Sequence, residues 1–489
     1  MFRIGGSGFQ RAKVLSAAIV VATLMSSWSQ RTAAAEPPSA AAPSNDATAV
    51  AQGRRLLRAI SELDDAAFLS VLHELYPSSR MTDAQWLDVR PNWRQFAFHG
   101  ADQVTSTHAE LSVFDQGRED WVRISITVDP AAPHAITDFA LHAGRRPADV
   151  PAPPKLAPAA LIAATRATVA TEAQADRFSG VVLVSRSGRM LLEQAYGLAD
   201  RPAQRPMSVD SKLRIGSMGK MFTTVAVLQL AQAGKLDLAA PIGRYLPDYP
   251  NREVAATVTI DDLLNHAGGT GDIFGPEFDS NQGVLVDPKD YVALFGPRPA
   301  LFAAGTQQAY SNFGFMILGR LVEAVSGQTY DRYVQDHIFR PARMTGSGFL
   351  PETVQVPGRV TGYTGAPGGL TATKNQVFRG TPAGGGYSTG PDLMRFADAV
   401  MGGRLLGPAY LARLTTTGTT LPNGVVSLRD FGDHHTGEGL RFLGHGGAAP
   451  GQNGVMHIFP DSGYTVVVIA NRDPPIAERI AKFIESRIP

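Results

Sequence analysis

Between residues 50 and 76 apolar side chains recur at helical spacing: Leu56, Leu57, Ile60, Leu63, Phe68, Leu69, Leu72 and Leu75. That period predicts an amphipathic helical start, broken into two helices near Asp64-Asp65. Alternating or β-branched runs follow at 95–98, 109–114, 121–128 and 135–141, separated by polar or proline turns, and predict an antiparallel meander. Helix followed by meander gives a small α+β domain over residues 48–144. Its order is loosely similar to cystatin or NTF2-like domains, a likeness of class only. Residues 145–158 hold Pro147, Pro151, Pro153, Pro154 and Pro158, which resist helix and predict an extended linker. Beyond it, 159–175 reads as a helix, and 180–185 with 190–196 as a hairpin turning near Ser187-Gly188. At the far end, 454–459 and 464–470 form a second strand pair before a helix at 475–488. The middle, about 218–376, is mainly helical, with stretches at 221–233, 260–264 and 314–325. The second domain, 159–489, therefore carries helix and antiparallel strand at both of its ends.

Arg3, Arg11 and Lys13 precede an apolar run at 14–25, and Ala33-Ala34-Ala35 precedes Glu36. This pattern predicts a cleaved export signal over residues 1–35; the apolar run is too short for the roughly 20 residues of a spanning helix, so no membrane span is expected after cleavage. Residues 36–47, rich in Ala, Pro and Ser, read as a disordered tether. The chain of 489 residues is 44% hydrophobic and 18% charged, ordinary for a protein that buries large cores, and its length favours two domains. A formal net charge of +1 with no dense basic run argues against a nucleic-acid partner. The absence of cysteine rules out disulfides, thiolate metal sites and a cysteine nucleophile. Export without disulfides fits a bacterial periplasmic or secreted protein.

Chemistry concentrates in the second domain. Ser217-Met218-Gly219-Lys220 opens the helix at 221–233, and residues three apart on a helix share a face. Lys220 would then lie beside the Ser217 hydroxyl, and burial would favour a neutral amine able to take or relay the proton of a nucleophile. The plainer alternative is that Ser217 caps the helix while Lys220 points to water. Of the eight lysines, only Lys220 has a serine three residues before it. A lipase-like elbow would need a glycine where Ile215 stands. Tyr310-Ser311-Asn312 precedes the helix at 314–325; a tyrosine near a cationic lysine can act as general base, and the Asn312 amide can position a substrate carbonyl. The alternative has Asn312 capping that helix and Tyr310 packing in the core. His445-Gly446-Gly447 leads into the terminal strands. Glycines there would let an extended acyl substrate lie along an edge strand, and the backbone amides of Ala448 and Ser217 could donate to its oxyanion. His445 is singled out only by this strand context, since His142 and His266 also precede x-Gly.

In this order the three elements resemble the serine β-lactamase and penicillin-binding-protein superfamily, whose signature is S-x-x-K, Y-x-N, then K-T-G or H-x-G on a strand. The class C-like branch is most similar, and further likeness lies in 234–238 through 245–247, 263–269, 384–389 and 445–451. The resemblance runs from about residue 159 to the C-terminus. It implies a β-lactamase/transpeptidase-like α+β fold: an antiparallel sheet carrying both terminal helices, an all-helical lobe beside it, and an active site between them. It also implies an acylated Ser217, proton transfer shared by Lys220 and Tyr310, substrate held by Asn312, His445, Gly446 and Gly447, and an oxyanion hole of Ser217 and Ala448. Antibiotic-hydrolysing members and transpeptidases usually carry lysine where His445 stands. Histidine resembles the D-aminopeptidase and esterase-like members, so small esters, amides and D-amino-acid peptides join β-lactams as expected acyl substrates. No metal or other cofactor is implied. His266 is read as packing a loop, and residues 384–389 as a tight turn or a wall of the site. Two competing functions are a catalytically silent envelope binding module and, for the first domain, an NTF2-like enzyme using His108.

Overall fold

The computed structural model describes residues 30–31 and 48–489, apart from 80, 375–376, 416–418, 421–424 and 428–430. The signal and tether expectations fall outside the described residues, except for Gln30–Arg31, a two-residue strand paired with Val425–Ser427. By compactness the chain divides into two units, the first reaching Gly144 and the second continuing from Arg145.

In the first unit, α1 (Thr48–Glu62) and α2 (Asp65–Leu75) are separated where Asp64 accepts a hydrogen bond from Ala67 N at 2.8 Å, an N-cap that starts the second helix. A third helix, α3 (Asp83–Trp93), begins at a Thr82/Gln85 capping box. The sequence reading did not anticipate it. Its buried stripe is Trp86, Val89, Arg90 and Trp93, so a charge interrupts the apolar period, and Pro91 sits in its last turn. Strands β1 (Phe96–Asp102), β2 (His108–Asp115), β3 (Asp120–Val128) and β4 (Ile136–Ala143) form an antiparallel meander in chain order. Ala109, Leu111 and Val113 alternate with outward residues on β2, and Val122, Ile124 and Ile126 do so on β3; together they bury against the helices.

The second unit begins with α4 (Pro158–Gln174) and the hairpin β5 (Gly180–Arg186) and β6 (Arg189–Tyr196). The helix α5 (Lys220–Gln232) follows, then α6 (Asn312–Ser326) and α7 (Gly390–Met401). The chain ends with β7 (Asp433–His435), β8 (Arg441–Ala449), β9 (Gln452–Phe459), β10 (Tyr464–Ala470) and α8 (Ile476–Glu485). These strands form one antiparallel sheet in the order β7-β8-β9-β10-β5-β6. The two chain ends are thus joined through β10 and β5, from Tyr464 opposite Arg186 to Ala470 opposite Gly180.

Both faces of that sheet are buried, which is why residues 181–184 are uninterrupted Val and Leu. Val182, Val184, Val466 and Val468 pack on Leu161, Val169, Ile480 and Ile484 of α4 and α8. Val181, Leu183, Val467 and Ile469 face the large core that includes α5, α6 and α7. At roughly 25 cal/mol per Å² of apolar surface buried, this two-sided burial is what anchors the sheet. The second unit also holds short strand pairs, such as Leu213–Arg214 with Tyr387–Ser388. No described helix is long and apolar enough to cross a membrane.

Candidate active site

Ser217 does not open an α-helix. It lies in a 3-10 turn, Gly216–Gly219, and α5 begins at Lys220. The tighter turn still brings the pair together: Lys220 Nζ donates to Ser217 Oγ at 3.2 Å. Lys220 is fully buried at 0% exposure, so the alternative in which it points to water does not describe this chain. Nor does Ser217 cap the helix, since its N-terminus has no side-chain cap.

Two close approaches hold the turn. Gly216 adopts φ of +52°, where a side chain is strained, and its carbonyl accepts from Gly385 N at 3.2 Å. A Cβ at Gly447 would sit 2.0 Å from the Ile215 carbonyl oxygen, so only glycine lets β8 press against the nucleophile turn. This contact brings the second backbone amide predicted for the oxyanion to the site: a Cβ on Gly216 would lie 3.2 Å from Ala448 N. β7 pairs only with residues 441–443 of β8. Among the described residues, Gly444 to Ala449 pair with β9 alone, and this segment lies beside Ser217.

Tyr310 sits in the loop before α6 and donates its hydroxyl to Ser217 Oγ at 2.8 Å. The cap of α6 is Ser311, whose Oγ accepts from Gly314 N at 2.8 Å; Asn312 is the first helical residue rather than the cap. Lys220 Nζ donates to Asn312 Oδ1 at 2.8 Å and to the Ala383 carbonyl at 2.5 Å. With Ser217, these acceptors suit the N–H donors of an ammonium. The faces of Tyr310 and Phe315 lie 4.6 and 5.5 Å from Nζ and favour the same charge.

His445 lies on β8 with its ring 6.5 Å from that of Tyr310. The residues predicted for nucleophile, proton transfer, substrate contact and oxyanion therefore surround one point. The segment 384–389 stands behind the nucleophile, contributing Gly385 N to the turn. His266 is buried, lies against Tyr310 with ring centroids 4.6 Å apart and accepts from Ser311 N at 3.1 Å; it packs a loop, the one that carries Tyr310.

Sequence reasoning missed Asp272 and Ala383. Asp272 accepts from Asn312 Nδ2 at 3.1 Å and from Asn312 N at 3.3 Å. Burial pushes its carboxyl above the usual carboxylate range, against the opposing pull of the Ile273 amide, the Asn312 amide and Lys220. The only available signal was an acid directly after a glycine-rich turn.

The family described as Beta-lactamase matches residues 159–487. The esterase EstB of Burkholderia gladioli is 34% identical over 218 residues, 41% of this chain and 55% of that protein. A D-aminopeptidase of Brucella anthropi is 29% identical over 282 residues, 56% of this chain and 52% of that protein. The crystal structure of a penicillin-binding protein from Bacillus halodurans superposes with a TM-score of 0.56 at 27% identity, covering 65% of this chain and 99% of that one.

Proposed function

Because this chain belongs to the β-lactamase family, a family of serine hydrolases, we propose that it is an exported enzyme that cleaves small esters, amides or D-amino-acid peptides through an acyl-enzyme on Ser217. One observation carries the reading: Ser217 Oγ lies within hydrogen-bond reach of both Lys220 Nζ and Tyr310 Oη. The basic, apolar and small-residue succession before Glu36 supports export.

With Nζ donating to Asn312 Oδ1, the Ala383 carbonyl and Ser217 Oγ and facing two aromatic rings, Lys220 serves as the ammonium and Tyr310 as the group that takes the proton. The ammonium beside its ring favours the phenolate. In the phenolate form Tyr310 Oη accepts from the Ser217 hydroxyl instead of donating to it; Ser217 Oγ then attacks the acyl carbon as its proton passes to Tyr310 Oη, and the amides of Ser217 and Ala448 receive the developing oxyanion. The bond to the leaving alcohol or amine then breaks, and that group takes the proton from Tyr310. Water attacks the acyl-enzyme by the same route in reverse, releasing the acid and restoring the serine. His445 places imidazole where β-lactam-hydrolysing members usually present lysine, and the relatives named as esterase and D-aminopeptidase support esters and D-amino-acid amides over antibiotics.

Intact-mass spectrometry of the mature protein and Ser217→Ala after a fluorophosphonate, a p-nitrophenyl ester and a penicillin tests this. The reading expects a fluorophosphonate adduct and ester turnover that vanish in Ser217→Ala. Neither adduct nor turnover from folded protein would make the chain a binding module.

A further inference from the structure

The Asn312 amide has one accepting end and two donating hydrogens, and its orientation decides what Lys220 meets. With Oδ1 toward Lys220 Nζ at 2.8 Å, the ammonium finds an acceptor. Turned over, the amide would set N–H against N–H, and its oxygen would face the Asp272 carboxylate. An ionised carboxylate accepts only, so Asp272 Oδ2, at 3.1 Å from Asn312 Nδ2, selects the first orientation.

Asp272 is itself tightly located. Its Oδ1 accepts from Ile273 N at 2.6 Å and Asn312 N at 3.3 Å, the latter an amide of the first turn of α6 that has no intrahelical acceptor. Arg298 Nη1 donates to the Asp272 carbonyl at 2.8 Å. Ser311 Oγ donates to the Gly271 carbonyl and approaches Thr270 Oγ1 at 3.1 Å. Residues 270–272 are thus laced to 311–312, and the carboxylate has little freedom to turn away.

We propose that Asp272 is a positioning residue: its carboxylate fixes the Asn312 amide with Oδ1 toward Lys220, and so holds the Lys220 ammonium against Ser217 and Tyr310. The inference rests on the reading of Ser217, Lys220 and Tyr310 given above. It has a second consequence for Asn312, whose amide is engaged at both ends and keeps one N–H for a substrate. It also accounts for a carboxylate retained where burial opposes its charge, a combination found at functional sites more than at structural ones.

Asp272→Asn in the full-length mature protein keeps size and shape but presents an N–H₂ where one acceptor stood, so Asn312 loses its preferred orientation. Ester kcat/KM is expected to fall roughly tenfold to a hundredfold. The rising limb of its pH profile should move up by about one unit, because a less well-held ammonium favours the Tyr310 phenolate less. The thermal midpoint should not fall, since the replaced carboxyl is opposed by burial. In an Asn312→Ala background Asp272→Asn should add little, because it acts through that amide.

An unmoved pH limb together with a lowered midpoint, or full additivity with Asn312→Ala, would overturn the proposal in favour of a structural role. If Asp272→Asn does not fold, Asp272→Glu decides: partial recovery of rate with non-additivity toward Asn312→Ala supports positioning, and additivity sinks it. Ester turnover surviving in Ser217→Ala would instead refute the underlying reading, whereas a Ser217-dependent enzyme indifferent to Asp272→Asn would refute only this inference.

Discussion

Among the described residues the most deeply buried cation of the first unit is Arg90, at 1% exposure, and that of the second is Lys220, at 0%, and the two are partnered differently. Arg90 Nε donates to the Ile60 carbonyl at 3.0 Å, Nη2 donates to Ala59 and Leu63 carbonyls, and Nη1 meets Asp65 at 2.5 Å. Its guanidinium closes the C-terminus of α1, whose last carbonyls have no intrahelical donor, and lies over the Phe68 ring at 4.6 Å. All of its partners are fixed parts of the fold. Lys220 also donates to a carbonyl and a side chain, but it donates as well to a hydroxyl that Tyr310 reaches. The Asp272 carboxylate, whose charge Lys220 favours, stands on the far side of the Asn312 amide. A cation paired directly with carboxylate and carbonyls is held as structure, whereas one held by neutral acceptors beside a hydroxyl is available to stabilise changing charge.

The comparison is most sharply broken by exchanging consequences. Lys220→Ala is expected to lower ester kcat/KM by about 10³-fold, while Arg90→Met leaves that rate unchanged in folded protein. Arg90→Met should instead destabilise the first unit by about 3 kcal/mol, from helix-terminal carbonyls left without donors and an ion pair removed. Steady-state kinetics and denaturant unfolding of both variants check this. Full activity in Lys220→Ala, with none in Ser217→Ala, would remove lysine from the proton-transfer scheme.

A smaller effect is expected at Gly447, where the serine-bearing turn meets β8. In Gly447→Val the added atoms meet the Ile215 carbonyl, so strand and turn must separate. A displacement near 1 Å at such a site costs roughly 10²-fold in rate. The measurement is kcat/KM beside the thermal midpoint; a normal rate would show that β8 need not touch the turn.

These residues also show what was legible in advance. Ser217, Lys220 and Tyr310 could be singled out because their types and spacing suit the chemistry, His445 because of its strand context, and the sheet because its strands alternate or run as unbroken Val and Leu. Arg90 and Asp272 were not legible. Each acts through partners far off in sequence: Arg90 replaces an apolar residue in the stripe of α3, and Asp272 meets Asn312 forty positions later. The 3-10 geometry of Ser217 was hidden too, since S-x-x-K is compatible with either turn and only the approach of β8 and Gly385 selects the tighter one.

The smallest effect is expected at His266, and its interest lies in separating two contributions. The residue has φ of +55°, a conformation that asparagine tolerates better than most residues, and its Nδ1 accepts the Ser311 amide while its ring supports Tyr310. An asparagine carbonyl can replace Nδ1 as acceptor and keep the backbone conformation, so His266→Asn removes mainly the ring. His266→Ala removes ring and acceptor together and places alanine at positive φ. Ester kcat/KM should therefore fall only a few-fold in Asn and roughly tenfold in Ala, in keeping with one lost hydrogen bond. If Asn and Ala are equally impaired, the ring beneath Tyr310 matters and the Ser311 bond does not. If Asn matches the native enzyme, the loop is positioned by its backbone bond alone, and Tyr310 depends on Ser217 and Lys220 for its placement.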